Sequence, residues 1–340
     1  MKDRVICFDL EGPLSPQDNA SDLLEMTPGG AELFRIISRY DDLLAGEGRI
    51  GYEPGDTLAL IMPFLRWYGL KQSAITKASK NSTIMPGAKE LFEQCMRAGR
   101  HVYIVSTAYH PHAYAIGRLL NVPANRIFAT RINDRFWNNH LSNDALSVIG
   151  DAEAYIREYL CGRDFDTEDF DDEIVRYLDE LYWNRLPKVG ISVSGSDRLA
   201  TVIGGRRKVL AVEKIARHHK IYLQDLIFVG DSITDTAALQ VVDVAGGLSI
   251  SFNGNKFAIP YATIAVAGTS LLILDLVFTA WEKGGRVEVK TLVDRLTQEG
   301  TGQDGDYVWL PSLNPSTLHS TIKRHAQIRN KVRGDVAHLG

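Results

Sequence analysis

The chain has 340 residues, of which 45% are hydrophobic and 24% charged, and its formal net charge is -4. This composition is typical of a soluble globular protein, and the length suits one core domain with additions. The mild negative charge argues against general nucleic-acid binding. Three scattered cysteines without CxxC spacing argue against a disulfide framework or a zinc site. Because the N-terminal residues do not resemble a signal peptide, we expect a cytoplasmic protein.

The first apolar stretch, residues 5–8 (VICF), has the length and composition of a buried strand. Asp9 and Glu11 follow it directly, and Gly12 and Pro13 predict a turn immediately afterwards. Ligands bind at the carboxyl ends of parallel strands, so these two carboxylates are candidates for a functional site. A strand that ends in ordinary solvated acids is the alternative for this stretch taken alone.

The next segments alternate between helix and strand. Residues 16–85 carry apolar side chains at intervals of three and four, which predicts several short helices in a row. A helix at 88–98, a strand at 101–105 that ends at Ser106, a helix at 112–120 and a strand at 126–132 then follow. This order predicts an α/β fold with a doubly wound, Rossmann-like parallel sheet.

Residues 134–186 break this alternation, with two helical stretches around an acidic run at 164–173. We interpret the run as a solvated loop and helix start, because acids suit a helix N-terminus; a calcium loop is the alternative, without the EF-hand glycine and terminal glutamate. The alternation of helix and strand resumes with a predicted helix at 208–218 and predicted strands at 226–229, within 242–252 and at 263–267.

The apolar segment 257–281 is long enough to suggest a membrane span, but Pro260, Gly268 and Asp275 interrupt it. We interpret it as buried core, because an aspartate inside a membrane is costly. Beyond Gly285 a basic helix is predicted at 317–332. Docking of this helix on the parent domain is the first interpretation, and contact with a partner or an anionic surface is the second.

These segments predict a core domain with three additions. The core comprises residues 1–15, 86–133 and 187–284. A helical cap at 16–85, a second, mostly helical insertion at 134–186 and a C-terminal extension at 285–340 complete the predicted organisation.

Four chemically distinctive features stand in chain order, each at a predicted strand end or helix start. They are Asp9 with Glu11, then Ser106, then Lys208, and finally Asp231 with Asp235. Together, in this order and strand context, they resemble the haloacid dehalogenase-like (HAD) superfamily, with the closest match to its phosphoserine-phosphatase-like branch. The match extends to the sequence around Met85–Ala88 and Ser249–Asn253.

The resemblance implies a role for each of these residues in phosphoryl transfer. Asp9 is the implied nucleophile, which forms an aspartyl-phosphate. Glu11 is the implied general acid and base, although most family members carry aspartate there. Ser106 is expected to donate to the phosphoryl oxygens, and Lys208 to neutralise the transferring group.

The resemblance also implies a bound Mg²⁺. Carboxylates that share a site repel one another unless a cation holds them, and Mg²⁺ favours a few carboxylates with water and phosphate oxygens. Asp9, Asp231 and the backbone carbonyl of Glu11 are the implied ligands. Asp235 is expected to support them, either through water or by orienting a partner.

Three further residues are candidates for substrate binding. Asp18, nine residues after Asp9, stands where this branch often carries an acid that meets a substrate amine, with Asn19 beside it; an Asx turn or helix cap is the alternative. Thr107 follows Ser106 where phosphoserine phosphatases have Gly-Gly, which places phosphoserine itself in doubt. His110 and His112 are expected on the surface, and contact with a ligand is the alternative.

Residues 9–15 (DLEGPLS), 18–20 (DNA) and 52–57 (YEPGDT) also resemble an archaeal HAD group labelled energy-converting hydrogenase A subunit R. We therefore expect a Mg²⁺-dependent phosphatase of a small phosphorylated metabolite. The alternatives are a phosphotransferase to an acceptor alcohol and a non-catalytic or regulatory subunit of a hydrogenase-associated complex. A protein partner or a homo-oligomer through the C-terminal extension stays open, and neither nucleic acid nor a membrane span is expected.

Overall fold

The computed structural model of the protein describes residues 3–161, 172–195, 198–299, 305–311 and 313–337. Nearly all of the acidic run at 164–173 lies outside these residues. The strands are β1 (Arg4–Phe8), β2 (Arg100–Tyr109), β3 (Ile127–Ile132), β4 (Ala200–Thr201), β5 (Leu226–Gly230), β6 (Leu248–Phe252), β7 (Ile264–Ala267) and β8 (Asp306–Trp309).

The helices surround this set of strands. They are α1 (Asn19–Glu25), α2 (Gly30–Gly46), α3 (Thr57–Leu60), α4 (Met62–Trp67), α5 (Gln72–Ala78), α6 (Ala88–Arg97), α7 (His110–Leu119), α8 (Asp134–Asn138), α9 (Asn143–Leu160), α10 (Asp172–Glu180), α11 (Leu186–Lys188), α12 (Arg206–His218), α13 (Thr236–Val244), α14 (Leu274–Gln298) and α15 (Pro315–Arg333). A π-helical turn, Leu181–Arg185, joins α10 to α11, and α14 is kinked at Gly284 and Gly285. Short 3-10 turns include Ile233–Asp235.

The eight strands form one sheet in the order β4-β3-β2-β1-β5-β6-β7-β8. Its six central strands are parallel, and only β4 and β8 at the two edges run antiparallel to their neighbours. The α/β fold with a doubly wound parallel sheet is therefore confirmed. Helices cover both faces of parallel strands that are joined by helical crossovers. The sequences of these strands are therefore continuous apolar runs.

Strand β1 illustrates how the sheet is buried on both sides. Ile6 and Phe8 belong to the hydrophobic cluster on one face, and Val5 and Cys7 belong to the cluster on the other. Successive side chains of a strand point to opposite faces, so an unbroken apolar run is what this position requires. Each buried side chain of this size contributes about 1.5–3 kcal/mol to stability, and β1 is thereby fixed at the centre of the sheet.

The predicted cap and the predicted second insertion share one hydrophobic core. The ring of Tyr182 stacks on that of Tyr40 at 6.0 Å, and its hydroxyl donates to the carbonyl of Leu60 at 2.9 Å. Helices α2 and α4 both pack against α9 in the same cluster. The boundaries 16–85 and 134–186 stay a prediction, but the two segments pack as one helical body.

The C-terminal extension packs against the core. Strand β8 pairs antiparallel with β7, with Trp309 opposite Ile264, and thereby extends the sheet at one edge. The first interpretation of the basic helix, docking on the parent domain, agrees with the burial of Arg329 and Arg333 of α15.

The structure differs from the prediction in one apolar segment and agrees with it in another. The strand predicted within 242–252 is only β6, because Ala238, Leu239 and Val242 form the buried face of α13 at helical spacing. The apolar segment 257–281 divides into β7 and the start of α14, as predicted. Among the described residues, no helix combines the length and the apolar composition that crossing a membrane requires.

Candidate active site

The predicted nucleophile and the acidic pair are brought together by adjacent strands. Asp9 follows β1 and Asp231 follows β5, and the backbone N–H of Asp9 donates to the carbonyl of Val229 at 2.8 Å. The two strands are parallel, so their carboxyl ends lie at the same edge of the sheet. Asp9 and Asp231 have exposed fractions of 2% and 0%, so both carboxylates are withdrawn from bulk water.

Lys208, near the start of α12, lies between two carboxylates. Its Nζ is 2.8 Å from Asp9 Oδ1 and 2.6 Å from Asp235 Oδ1, and it donates to Thr234 Oγ1 at 3.1 Å. Burial lowers the pKa of Lys208, but the charges of Asp235 and Asp9 outweigh burial and keep this pKa above its usual value. The lysine is therefore a fixed cation beside Asp9.

The pKa of Asp9 reflects the density of charge around it. Burial raises this pKa to about 7, the charge of Asp235 adds to the rise, and Lys208 opposes it. Several carboxylates in one buried site disfavour one another's ionisation, whereas a neighbouring cation favours it. Ionisation of Asp9 therefore depends on the support of nearby positive charge.

Both carboxylate oxygens of Asp235 accept hydrogen bonds from neighbouring residues. Its Oδ1 accepts from Lys208, and its Oδ2 accepts from the backbone N–H groups of Asp231 at 3.0 Å and Ser232 at 3.1 Å. These bonds fix the turn that carries Asp231. The arrangement favours the orienting role over the water-mediated one among the two predicted for Asp235.

Glu11 is held in a tight turn that follows β1. Its Oε1 accepts from the backbone N–H of Asn19 at 2.9 Å, and burial, with the charge of Asp18 second, raises its pKa well above the usual range. A raised pKa favours the protonated form, which is the form that a general acid requires. Gly12 closes the turn at φ 109°, where a Cβ would collide with the carboxylate of Asp231.

The buried acids fit a hard divalent cation such as Mg²⁺. Asp9, Asp231 and Asp235 each offer a carboxylate oxygen, and the three oxygens lie within 4.8 Å of one another. Asp231 Oδ1 is buried and accepts no hydrogen bond from any described residue, which is costly for a carboxylate oxygen unless a cation binds it. Asp9 and Asp231 would hold such an ion, and the carbonyl of Glu11 stays a predicted third ligand.

The predicted phosphate-contacting residues Ser106 and Thr107 lie within the last four residues of β2. Ser106 is fully buried and its Oγ accepts from the backbone N–H of Ala108 at 3.0 Å, so its hydroxyl proton remains to be donated. Thr107, the next residue, lines the cleft described below, and its carbonyl accepts from Thr130 Oγ1. Donation from Ser106 to a phosphoryl oxygen stays a prediction.

A cleft opens above Asp9 between the core and the helical body, and we call it the active-site cleft. Asp9, Glu11, Thr107 and residues 232–234 line it from the core. The helical body contributes Phe34, Ser38, Asp41, Asp42, Thr57 and Leu58. The helical body therefore forms the opposite wall of the cleft.

Asp18 combines both of its sequence-based interpretations. It caps α1, with Oδ1 accepting from the backbone N–H groups of Ala20 at 3.0 Å and Ser21 at 2.9 Å, and it also lines the active-site cleft. Asn19 does not line the cleft. Its buried amide side chain accepts and donates no hydrogen bond among the described residues, and its contribution comes through the backbone N–H that holds Glu11.

Two residues of the site were missed by the sequence reasoning. Arg329 and Arg333 of α15 both contact Asp231 Oδ2. A signal was present, because Thr321, His325, Arg329 and Arg333 recur at intervals of four and therefore share one face of the helix. Leu318, Ile322 and Val332 share this face and pack against the hydrophobic clusters, so the apolar pattern indicates docking but not the arginine contacts.

The expected surface position of His112 is wrong. This side chain is fully buried in the first turn of α7, where Nδ1 bonds with Ser79 Oγ at 3.0 Å. His110 is half-buried, with Nδ1 3.3 Å from the carbonyl of Thr130. The Pro111 between them starts the helix and turns His112 toward α5 and the following turn.

Comparison with known proteins identifies the fold. No protein-family model matches the chain, and no curated protein matches its sequence. The solved structure of a gene product from Archaeoglobus fulgidus is 20% identical in sequence and superposes with a TM-score of 0.83. The alignment covers 100% of this chain and 99% of the Archaeoglobus fulgidus chain. A phospho-aspartyl intermediate analogue of phosphoserine phosphatase is 19% identical, with a TM-score of 0.50 over 81% of this chain and 98% of its own.

A substrate-bound phosphoserine phosphatase complex matches equally well, at 18% identity and a TM-score of 0.50 over 81% of this chain and 97% of its own. The chain has the HAD fold. The HAD resemblance of the sequence is thereby confirmed at the level of fold. The narrower resemblance to the hydrogenase-labelled archaeal group stays a prediction.

Proposed function

We propose that this HAD-fold protein is a Mg²⁺-dependent phosphatase that hydrolyses a small phosphorylated metabolite through a phosphoenzyme on Asp9. The observation that carries the proposal is the position of Lys208 Nζ, 2.8 Å from Asp9 Oδ1 and 2.6 Å from Asp235 Oδ1, at the base of a cleft. A buried carboxylate held by a fixed cation beside further acids is the arrangement that phosphoryl transfer to a carboxylate requires.

The first half-reaction forms the phosphoenzyme. The Asp9 carboxylate attacks phosphorus, the bond from phosphorus to the ester oxygen breaks, and Glu11 gives its proton to the departing oxygen. A bound Mg²⁺ would supply positive charge against the phosphoryl oxygens. Lys208 stabilises the ionised Asp9 and the charge that develops on the transferring group, and Ser106 adds a hydroxyl donor.

The second half-reaction restores the enzyme. Glu11, now ionised, takes a proton from water as the water oxygen attacks phosphorus, and the bond to Asp9 breaks. Inorganic phosphate leaves and Glu11 is again protonated. The raised pKa of Glu11, caused chiefly by burial, supports this role because it favours the protonated form that gives its proton to the ester oxygen.

Replacement of Asp9 tests the proposal. Asp9→Asn should abolish Mg²⁺-dependent hydrolysis of an aryl phosphate such as p-nitrophenyl phosphate, and mass spectrometry should detect a phosphorylated Asp9 in the native enzyme but not in the variant. Asp294→Asn is the matched control, because this half-exposed carboxylate pairs with Lys290 on the same helix, away from the site. Hydrolysis that survives Asp9→Asn would remove Asp9 from the mechanism.

The same assay separates hydrolysis from transfer to an alcohol. With a series of small alcohols present, a phosphatase releases inorganic phosphate in the amount of aryl alcohol released. Formation of a phosphorylated acceptor in place of inorganic phosphate would assign the phosphotransferase alternative. A screen of phosphorylated metabolites then identifies the substrate.

A further inference from the structure

Helix α15 buries a polar face against the core. Thr321, His325, Arg329 and Arg333 are its buried residues, and the spacing of four places them on one side of the helix. Arginine is rarely fully buried unless its charge is paired. Both arginines of this face reach Asp231, so the helix contributes two cations to the candidate active site.

Arg329 holds the Asp231 carboxylate and also donates to backbone carbonyls. Its Nη1 donates to Asp231 Oδ2 and, at 3.1 Å, to the carbonyl of Asn253, while Nε donates to the carbonyl of Ala337 at 2.7 Å. The residue is only 2% exposed. Arg329 therefore positions the Asp231 carboxylate, with Oδ2 bound to the guanidinium and Oδ1 left for a cation.

Arg333 contacts the same oxygen from the side of the cleft. Its Nη1 lies 3.2 Å from Asp231 Oδ2, and its Nε donates to the carbonyl of Pro16 at 3.0 Å. Because Arg329 already pairs with Asp231 Oδ2, the bond from Arg333 is redundant for that carboxylate. Loss of the bond from Arg333 leaves Asp231 paired with Arg329, so the guanidinium of Arg333 is available to bind another anion.

The charge of the active-site cleft shows why such an anion would need Arg333. Asp9, Glu11 and Asp18 line the cleft near Arg333, and Arg333 is the single basic residue among the described residues that line it. Lys208 is fully buried below the cleft between Asp9 and Asp235. A phosphate dianion that enters this acidic cleft is repelled unless a cation on the wall faces it.

We propose that Arg333 is a substrate-binding residue that transfers a guanidinium hydrogen bond from Asp231 to the phosphoryl group of the ligand. The inference rests on the proposed phosphatase function and adds to it a cation from the C-terminal helix. A planar guanidinium matches two phosphate oxygens, and its Nε stays anchored on Pro16 while Nη1 changes partner. Binding of the phosphate monoester thereby uses α15 as well as the core.

Calorimetric titration with inorganic phosphate in the presence of Mg²⁺ tests this role without turnover. Arg333→Gln should weaken phosphate binding by about tenfold or more, because a charge-assisted pair is lost. Arg333→Lys, which keeps the charge but loses the fork, should fall between the native protein and Arg333→Gln. Lys331→Gln is the control, since it removes the same charge from an exposed position of the same helix.

Titration with Mg²⁺ alone separates a role in ligand binding from a structural one. Arg333→Gln should keep Mg²⁺ affinity within about twofold of the native value, because Arg329 still holds Asp231. Arg333→Met preserves the packed stem and serves in the same titrations if the glutamine variant does not fold. Equal phosphate affinity in the native protein and a folded Arg333→Gln or Arg333→Met variant overturns the assignment of Arg333 and leaves the phosphatase proposal intact. Failure of the native protein to bind phosphate with Mg²⁺ overturns both.

Discussion

Lys208 Nζ and Asp235 Oδ1 form an ion pair at 2.6 Å, and both side chains have an exposed fraction of 0%. A buried charge without its partner retains the full cost of leaving water. The pair therefore links the stability of the fold to the site, because Lys208 also lies 2.8 Å from Asp9.

Lys208→Met should lower the free energy of unfolding by about 3–5 kcal/mol, because it leaves the buried carboxylates of Asp9 and Asp235 without their cation. Asp235→Asn removes one of them, so the double variant Lys208→Met/Asp235→Asn should lose less than the sum of the single losses. Urea unfolding of the four proteins measures this coupling. Strictly additive losses would contradict an energetically coupled pair.

Gly12→Ala should weaken Mg²⁺ binding. An added Cβ would collide with the Asp231 carboxylate, and the φ of 109° is unfavourable for any other residue. Gly99→Ala is the matched control: it has a φ of 71° but open space around its Cβ, so it should cost about 1–2 kcal/mol of stability and leave Mg²⁺ affinity unchanged. Equal Mg²⁺ affinities in the two variants would show that the contact of Gly12 with Asp231 is unimportant.

Glu11→Gln should slow turnover of p-nitrophenyl phosphate by about 10²–10⁴-fold and cause the phosphoenzyme to accumulate. The first step survives, because p-nitrophenolate leaves without protonation, whereas attack by water on the phosphoenzyme still needs a base. Mass spectrometry of the acid-quenched protein measures the phosphorylated fraction. The exposed Glu90→Gln is the control, and absence of accumulation in Glu11→Gln would assign the base elsewhere.

Arg207 clamps the segment between α2 and α3 to α12. Its Nη1 and Nη2 lie 2.5 Å from Asp56 Oδ1 and 3.0 Å from Asp56 Oδ2, a two-point contact in which both side chains are mostly buried. Arg207→Lys keeps the charge but loses the fork, and should cost about 1–3 kcal/mol in thermal or urea unfolding. Arg217→Lys, at an exposed pair with Glu213, should stay within about 0.5 kcal/mol. Similar losses in the two variants would argue against the clamp.

His112 should make the fold sensitive to acid. Burial lowers its pKa to about 4, below the value of about 6.5 in the unfolded chain, so the unfolded state binds the proton more tightly. Stability from this group is present above pH 6.5 and falls by up to about 3 kcal/mol as the pH drops to 4. His112→Gln should flatten this part of the profile of stability against pH, whereas the exposed His140→Gln should not. An unchanged profile in His112→Gln would contradict the buried, neutral assignment.

The sequence by itself determined the alternation of strands and helices and the principal acids of the site. Asp9 and Asp231 each follow a short apolar run, and the carboxyl ends of such strands meet by the rules of parallel sheets. Lys208 at a helix start completed the pattern. These signals are local, because strand and helix periodicity reports which face of a segment is buried.

Only the tertiary structure decided which distant segments complete the site. Arg329 and Asp231 are 98 residues apart, and their contact depends on how α15 docks, which no local periodicity encodes. The apolar residues of that helix lie on the docked face but do not single out the arginines, since a buried arginine is stabilised by its charged partner and leaves no apolar signal. The shared core of residues 16–85 and 134–186 could not be predicted for the same reason. Each segment shows an apolar stripe in its sequence, but the stripe does not indicate which other segment packs against it.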